Sequence, residues 1–152
     1  MRYTHTNINS PDWERLVRFY IDVFDCRLVP PLRHLRGGWF EKTTGVPGAG
    51  VDGAHIALPG YGEGGPTLEI FTYVNPATSR SNPINGQGFA HIAFHVDDVE
   101  ATYRKLLQHG GSADGEIVRE YYGSLDQTLT IIYAKDPDGN AVEIQHWSDG
   151  RL

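Results

Sequence analysis

The spacing of apolar residues along this chain passes from strand-like to helix-like and back, and does so twice in the same order. Residues 3–8, rich in Thr and in aromatic or branched side chains, read as a strand. Asn9, Ser10 and Pro11 then supply a loop, a capping hydroxyl and a proline suited to a first helical position, so a helix is expected to start there. Trp13, Leu16, Val17, Tyr20, Ile21 and Phe24 recur on one helical face, while Asp12 and Glu14 favour the dipole of the first turn. The helix should end near Phe24, and residues 27–32 read as a short strand. The next stretch, 33–53, holds six glycines, Pro47, Trp39 and Phe40, and so long an irregular connection in a compact domain is usually functional or flexible. Strands are predicted over 54–58 and 66–74. The glycine-rich segment 60–65 between them lacks the lysine of a phosphate-binding loop and leads into a strand, so it is a hairpin turn.

The second pass repeats the first. Residues 88–96 alternate as a strand, Asp97 and Asp98 offer a cap, and Val99, Tyr103, Leu106 and Leu107 mark a helical face that stops at Gly110 and Gly111. Strands follow over 116–122, 128–135 and 141–147, the last two joined by the turn Asp136-Pro137-Asp138-Gly139-Asn140. The shift that carries His5 onto His91 also carries Trp13, Tyr20 and Ile21 onto Val99, Leu106 and Leu107, keeping strand and helix in phase. A shorter shift carries Leu68, Glu69 and Ile70 onto Val142, Glu143 and Ile144, the difference being absorbed by the long glycine-rich loop of the first copy. The expected fold class is therefore α+β: two βαβββ modules, 1–75 and 88–152, joined by a polar linker over 76–87.

Composition narrows the partners. A formal charge of −6 with scattered basic residues argues against nucleic acid and anionic membranes, which need a concentrated basic face. No apolar run is long enough to span a bilayer, and a strand follows Met1 directly where a secretory leader would need an apolar core, so a cytoplasmic address is expected. Cys26 is single, cannot close an internal disulfide, and is expected to be a small buried residue.

Strand alternation singles out four polar residues. Glu69 shares a face with Thr67, Phe71 and Tyr73 while Leu68 and Ile70 point the other way, and Glu143 opposes Val142 and Ile144 in the same manner. His5 and His91 stand on the first strand of each module, His91 opposing Ile92 and Phe94. With the apolar faces packed on the helices, His5, Glu69, His91 and Glu143 fall on the sheet faces turned away from them, where two curled mixed sheets brought together would line a cavity. Taken singly, a strand histidine or glutamate says little. At equivalent positions of a duplicated unit, two imidazoles and two carboxylates make a nitrogen and oxygen site suited to zinc, nickel, cobalt, manganese or iron, with positions left for water or substrate. His55 and His95 could line the same cavity by alternation, whereas His34, His109 and His146 read as surface or rim residues.

At these residues the chain resembles the vicinal oxygen chelate superfamily, the glyoxalase, bleomycin resistance and extradiol dioxygenase group. The segments that carry the resemblance are Tyr3-Thr4-His5-Thr6, Arg18-Phe19-Tyr20-Ile21-Asp22-Val23-Phe24, Thr67-Leu68-Glu69-Ile70, Gly88-Phe89-Ala90-His91-Ile92-Ala93-Phe94 and Asp136-Pro137-Asp138-Gly139-Asn140-Ala141-Val142-Glu143. It implies paired βαβββ modules, a homodimer, and one divalent ion per site that chelates two neighbouring oxygens of a small-molecule substrate. The His, Glu, His, Glu order is similar to that of bacterial glyoxalase I, which isomerises a glutathione hemithioacetal through an enediolate. Where that enzyme holds glutathione with an arginine and an asparagine, this chain has Asn9 and Tyr73, which counts against that substrate. The run 75–94 and the loop with Trp39 and Gly45-Val46-Pro47-Gly48 look closer to methylmalonyl-CoA and cyclitol epimerases, although the base of the methylmalonyl enzyme has no counterpart around Gly50.

The resemblance thus implies a metal-dependent isomerase or lyase that moves a proton next to a chelated carbonyl or hydroxyl. Glu143 is the expected base, with Glu69 as the alternative, and His55, Tyr73, Tyr133 and Trp39 are expected substrate contacts. Two alternatives stay open: an extradiol dioxygenase, against which a fourth ligand at Glu69 argues, and a small-molecule binding or resistance protein without chemistry.

Overall fold

A computed structural model describes residues 1–78 and 83–151, so the linker expected over 76–87 falls partly outside the described residues, as does position 152. The chain divides into two compact units, Met1–Ser79 and Arg80–Leu152. Unit 1 runs β1 (His5–Asn9), α1 (Trp13–Phe24), β2 (Arg27–Leu35), α2 (Gly38–Thr44), β3 (Val51–Ala57) and β4 (Thr67–Tyr73). Unit 2 runs β5 (His91–His95), α3 (Val99–Gln108), β6 (Ser112–Ala113), β7 (Val118–Tyr122), β8 (Gln127–Lys135) and β9 (Ala141–Asp149). The fold class is α+β, with one mixed sheet in each unit. No helix among the described residues is long and apolar enough to cross a membrane.

Each sheet pairs its first strand parallel to its last and builds the rest antiparallel. In unit 1 the order is β1-β4-β3-β2; in unit 2 it is β5-β9-β8, with β6 and β7 both pairing with β8. The strand period of two then sorts the side chains. Ile56, Leu68 and Ile70 are buried on the face that receives Leu16, Tyr20 and Val23 of α1, which packs on β3 and β4. In unit 2, Ile132, Val142 and Ile144 play the same part beneath Val99 and Leu106 of α3. The odd-numbered residues of β4 and β9 are left on the opposite face.

The helix starts differ from the sequence reading in one respect. Ser10 is not the cap of α1: the helix begins three residues on at Trp13, and Ser10 Oγ accepts from Asp12 N at 3.0 Å while its N–H donates to Phe71 O at 2.8 Å, tying it to β4. Asp12 caps the helix instead, its Oδ1 accepting from Arg15 N at 3.0 Å, and Asp98 does the same for α3 by accepting from Ala101 N at 2.8 Å. At the other end of α1, Asp25 adopts the left-handed region at φ 56° and closes the helix by donating to the carbonyls of Ile21 and Tyr20.

Two departures concern the stretch expected to be irregular. β2 does not stop at residue 32 but continues to Leu35, across a bulge in which Pro30, Pro31 and Leu32 stand against Ala54 alone. Prolines are tolerated there because β2 is the outermost strand of its sheet and the bulge has no ladder bonds to lose. Within the stretch lies a helix, α2, whose Phe40 is buried with Ala49, Val51 and Phe71 and packed against Leu35 and Tyr73. Val51, Phe71 and Tyr73 belong to the sheet face turned away from α1, so α2 covers one end of that face. Gly53 makes the close packing there possible, since a Cβ would meet Phe71 Cδ1 at 2.5 Å and the Ile70 carbonyl at 2.0 Å. The short β6, likewise absent from the sequence reading, extends the outer rim of unit 2 beyond β7.

Two measurements check this packing. Ile70 is fully buried, and Ile70→Ala is expected to cost about 2–5 kcal/mol in urea unfolding. Cys26 is 2% exposed and its thiol is pushed up to about 12, by burial first and by the charge of Asp25 second. It should therefore resist an aromatic disulfide reagent at pH 8 in the native protein and react at once in denaturant.

Candidate functional site

In unit 1 the registers of two ladders meet on Glu69. Antiparallel pairing of β3 with β4 sets His55 opposite it, and parallel pairing of β1 with β4 sets Asn7 opposite it from the other side. His5 lies two residues before Asn7 and shares its face. The side chains converge accordingly. His55 Nε2 stands 3.0 Å from Glu69 Oε1, His5 Nε2 stands 3.6 Å from Oε2, and Asn7 Nδ2 donates to Oε2 at 3.0 Å. The two imidazoles meet edge to face at 5.5 Å, and one donor atom from each of His5, His55 and Glu69 lies within 4.8 Å of the others. His55 Nδ1 is bonded to Thr67 Oγ1 at 2.9 Å, which fixes the ring with Nε2 toward the cluster. Burial holds the His55 pKa below the usual histidine range, outweighing the upward pull of the Glu69 carboxylate, so the ring is neutral at neutral pH.

Unit 2 repeats the arrangement with one substitution of chemistry. Tyr133 of β8 stands opposite Glu143 of β9, in the register that His55 has to Glu69. Ala93 of β5 occupies the position corresponding to Asn7. His91 Nε2 lies 3.3 Å from Glu143 Oε2, and its ring packs edge-on against Tyr133 at 5.1 Å. Glu143 is 8% exposed, and a carboxylate so far removed from water needs such partners. The Tyr133 hydroxyl donates to Glu143, and this bond, with burial and the carboxylate charge behind it, pushes the phenol up to about 12.

Within its own unit, then, each first-strand histidine meets its last-strand glutamate: His5 with Glu69, and His91 with Glu143. His55 is a direct partner of Glu69. Tyr73 stacks on Phe40 at 6.4 Å in the apolar cluster under α2, and Trp39, 57% exposed, packs edge-on against the same ring. His95 is exposed and lies against His146 at 5.2 Å, and His34 pairs with Asp52 at 2.7 Å. The sequence reading gave no role to Asn7. Its spacing of two from His5 was the available signal, and only the β1–β4 register turns that into a contact with Glu69.

Comparison with known proteins agrees with this architecture. Residues 2–144 match the family described as Glyoxalase/Bleomycin resistance protein/Dioxygenase superfamily. The chain is 29% identical over 140 residues to a probable lactoylglutathione lyase of Synechocystis sp., covering 92% of this chain and 91% of that protein. It is 30% identical over 145 residues to a probable lactoylglutathione lyase of Vibrio parahaemolyticus, covering 94% and 88% of the two chains. Among solved structures, a glyoxalase family protein from Bacillus cereus superposes with a TM-score of 0.80 at 21% identity, over 97% of this chain and 94% of that one. At that identity the likeness speaks for the fold.

The contact between Tyr133 and Glu143 can be tested in metal-free protein by NMR with tyrosine labelled at Cζ. Tyr133 should stay protonated until the pH approaches about 12, and Glu143→Gln should bring it back down toward the ordinary 10 by removing the negative charge.

Proposed function

Because the chain belongs to the glyoxalase, bleomycin resistance protein and dioxygenase superfamily, we propose that it is a divalent-metal-dependent enzyme of the isomerase or lyase type. The observation that carries this reading is the recurrence, in both units, of a histidine against a partly or fully buried glutamate on the sheet face turned away from the helix. The relatives named lactoylglutathione lyase support the same class. The donor set fits a metal: imidazole nitrogens and carboxylate oxygens suit zinc, nickel, cobalt, manganese or iron, and Asn7 holds Glu69 in place. His5 with Glu69 in unit 1, and His91 with Glu143 in unit 2, are the residues that would serve as metal ligands. When bound, it would polarise a carbonyl or hydroxyl oxygen of the substrate and so acidify the neighbouring C–H bond.

The proton is then the business of a carboxylate, and the two are not equivalent. Glu69 has His55 on one oxygen and Asn7 on the other, which fixes it. Glu143 has no counterpart of Asn7, and the Tyr133 hydroxyl can stabilise its charge and follow it through a small displacement. These features support Glu143 as the base that moves the proton and Glu69 as a fixed ligand. They also bear on the substrate. Tyr73, which stands where the glutathione-dependent enzymes hold their substrate with an asparagine, is engaged by Phe40, and the face beyond Glu69 continues into Phe71. A small molecule with two adjacent oxygens and an apolar remainder fits this surface better than a charged tripeptide.

One observation favours a second reading. His5, His55 and Glu69 form a set of two histidines and one carboxylate, the donor set of non-haem iron oxygenases. Oxygen uptake with catechols under ferrous iron would move the assignment to that class.

The first reading is tested by metal analysis of protein purified without chelator, followed by NMR of 2-hydroxy ketones, thioesters, hemithioacetals and cyclitols in D2O. One divalent ion per chain and solvent deuterium at the carbon next to the chelated oxygen are expected. Glu143→Gln should lower kcat by about 10²–10⁴ while the ion is retained. Absence of exchange with every such compound, metal loaded, would overturn the proposal.

A further inference from the structure

Resting on the metal reading above, we infer that His55 is itself a ligand of the divalent ion, so that unit 1 presents three protein donors, His5, His55 and Glu69, on one side of the metal. Two donors bound to one zinc-like ion at about 2.0–2.2 Å must stand about 3 Å or a little more from each other. The donor atoms of unit 1 come near that spacing: His55 Nε2 stands 3.0 Å from Glu69 Oε1, His5 Nε2 stands 3.6 Å from Oε2, and one donor atom from each residue lies within 4.8 Å of the others. Both imidazoles direct Nε2 at the same carboxylate, from two different strands, and both flank it without blocking each other.

The surroundings of His55 are those of a ligating histidine. Its far nitrogen, Nδ1, is held by the Thr67 hydroxyl, and a hydroxyl can serve either tautomer. Without metal, Nε2–H donates to Glu69 and Thr67 donates to Nδ1. With metal, Nε2 would give its lone pair to the ion in place of its bond to Glu69, and Nδ1–H would donate to Thr67, so the Thr67 bond is kept with its direction reversed. Asn7 performs the matching task for Glu69, keeping Oε2 oriented while Oε1 turns from His55 to the ion.

Unit 2 shows why this is a property of one module and not of the repeat. The position equivalent to His55 is Tyr133, whose ring packs against His91 and whose hydroxyl donates to Glu143, so unit 2 has no second imidazole beside its carboxylate. Unit 1 therefore offers three candidate donors, where unit 2 offers a histidine and a glutamate. It follows that loss of any unit 1 donor should collapse the unit 1 site.

The test uses the full chain. Purified protein is titrated with Co²⁺ and followed by calorimetry and by the visible d–d bands. A parallel long-range ¹H–¹⁵N histidine spectrum is recorded with and without Zn²⁺. Wild type should bind one Co²⁺, and the Nε2 resonances of both His5 and His55 should move on Zn²⁺ addition. A partner that only orients a ligand costs about 10–100-fold in affinity, so His55→Gln should cost more than about 100-fold and change the cobalt bands, and Thr67→Val should stay within the milder range. The double variant His91→Ala/Glu143→Ala should still take up one Co²⁺. If His5→Ala abolishes binding while His55→Gln leaves affinity and spectrum unchanged, and His55 Nε2 does not respond to Zn²⁺, the inference falls and the metal reading above survives. If wild type binds no divalent ion, both fall together.

Discussion

A carboxylate taken out of water must be matched by donors, and in this protein the match comes from the neighbouring strands of the same sheet. Glu69 and Glu143 sit on the last strand of their units, an inner strand flanked on both sides. Each is therefore reached from a parallel neighbour carrying the histidine and from an antiparallel neighbour carrying His55 or Tyr133. The apolar residues between them, Leu68 and Ile70 or Val142 and Ile144, lock the register by burying the other face against a helix. A slip of one residue would send the carboxylate into that apolar layer and the leucine or valine into the polar cluster, so the core and the site enforce one another.

How much of this was legible follows from which interactions are local. Strand and helix periods, the glycine stops and the duplicated order are patterns within short windows, and they gave the two modules and the faces of Glu69 and Glu143. What depended on register was not visible. Alternation could put His55 on a useful face, but only the pairing of β3 with β4 makes it the direct neighbour of Glu69. The same holds for Asn7, whose partner lies across a parallel ladder and far along the chain. α2 escaped for another reason: seven residues beginning with glycine and ending in two threonines have little helical preference, and no side chain caps its start. Phe40 supplies what propensity lacks, through burial that a one-dimensional pattern cannot register. β2 runs three residues beyond the expected 27–32, because Arg33, His34 and Leu35 pair with Gly53, Asp52 and Val51 across the bulge, a register that no local pattern shows.

The duplication also shows how one module can acquire a task that its copy lacks. Backbone registers are shared, so a change of side chain at one equivalent position alters chemistry without touching the fold. His55 against Tyr133 exchanges an imidazole for a phenol, and Asn7 against Ala93 removes a tether. The extra length in the first copy lies in the segment that forms α2, which lays Phe40 over one end of the sheet face and gives that face an apolar border.

The interrupted rims of the two sheets have a bearing on how the protein behaves in a crowded solution. An outermost strand with an unbroken row of amide and carbonyl groups is a template onto which another chain can add. β2 breaks that row with Pro30 and Pro31, which have no N–H to offer, at a bulge that also turns the strand out of line. Unit 2 breaks it by dividing its rim between β6 and β7, leaving each too short to recruit a partner over any length. On these two rims the polypeptide is guarded against polymerising by sheet extension, and the guard is written in the backbone, independent of whatever the sheet faces bind.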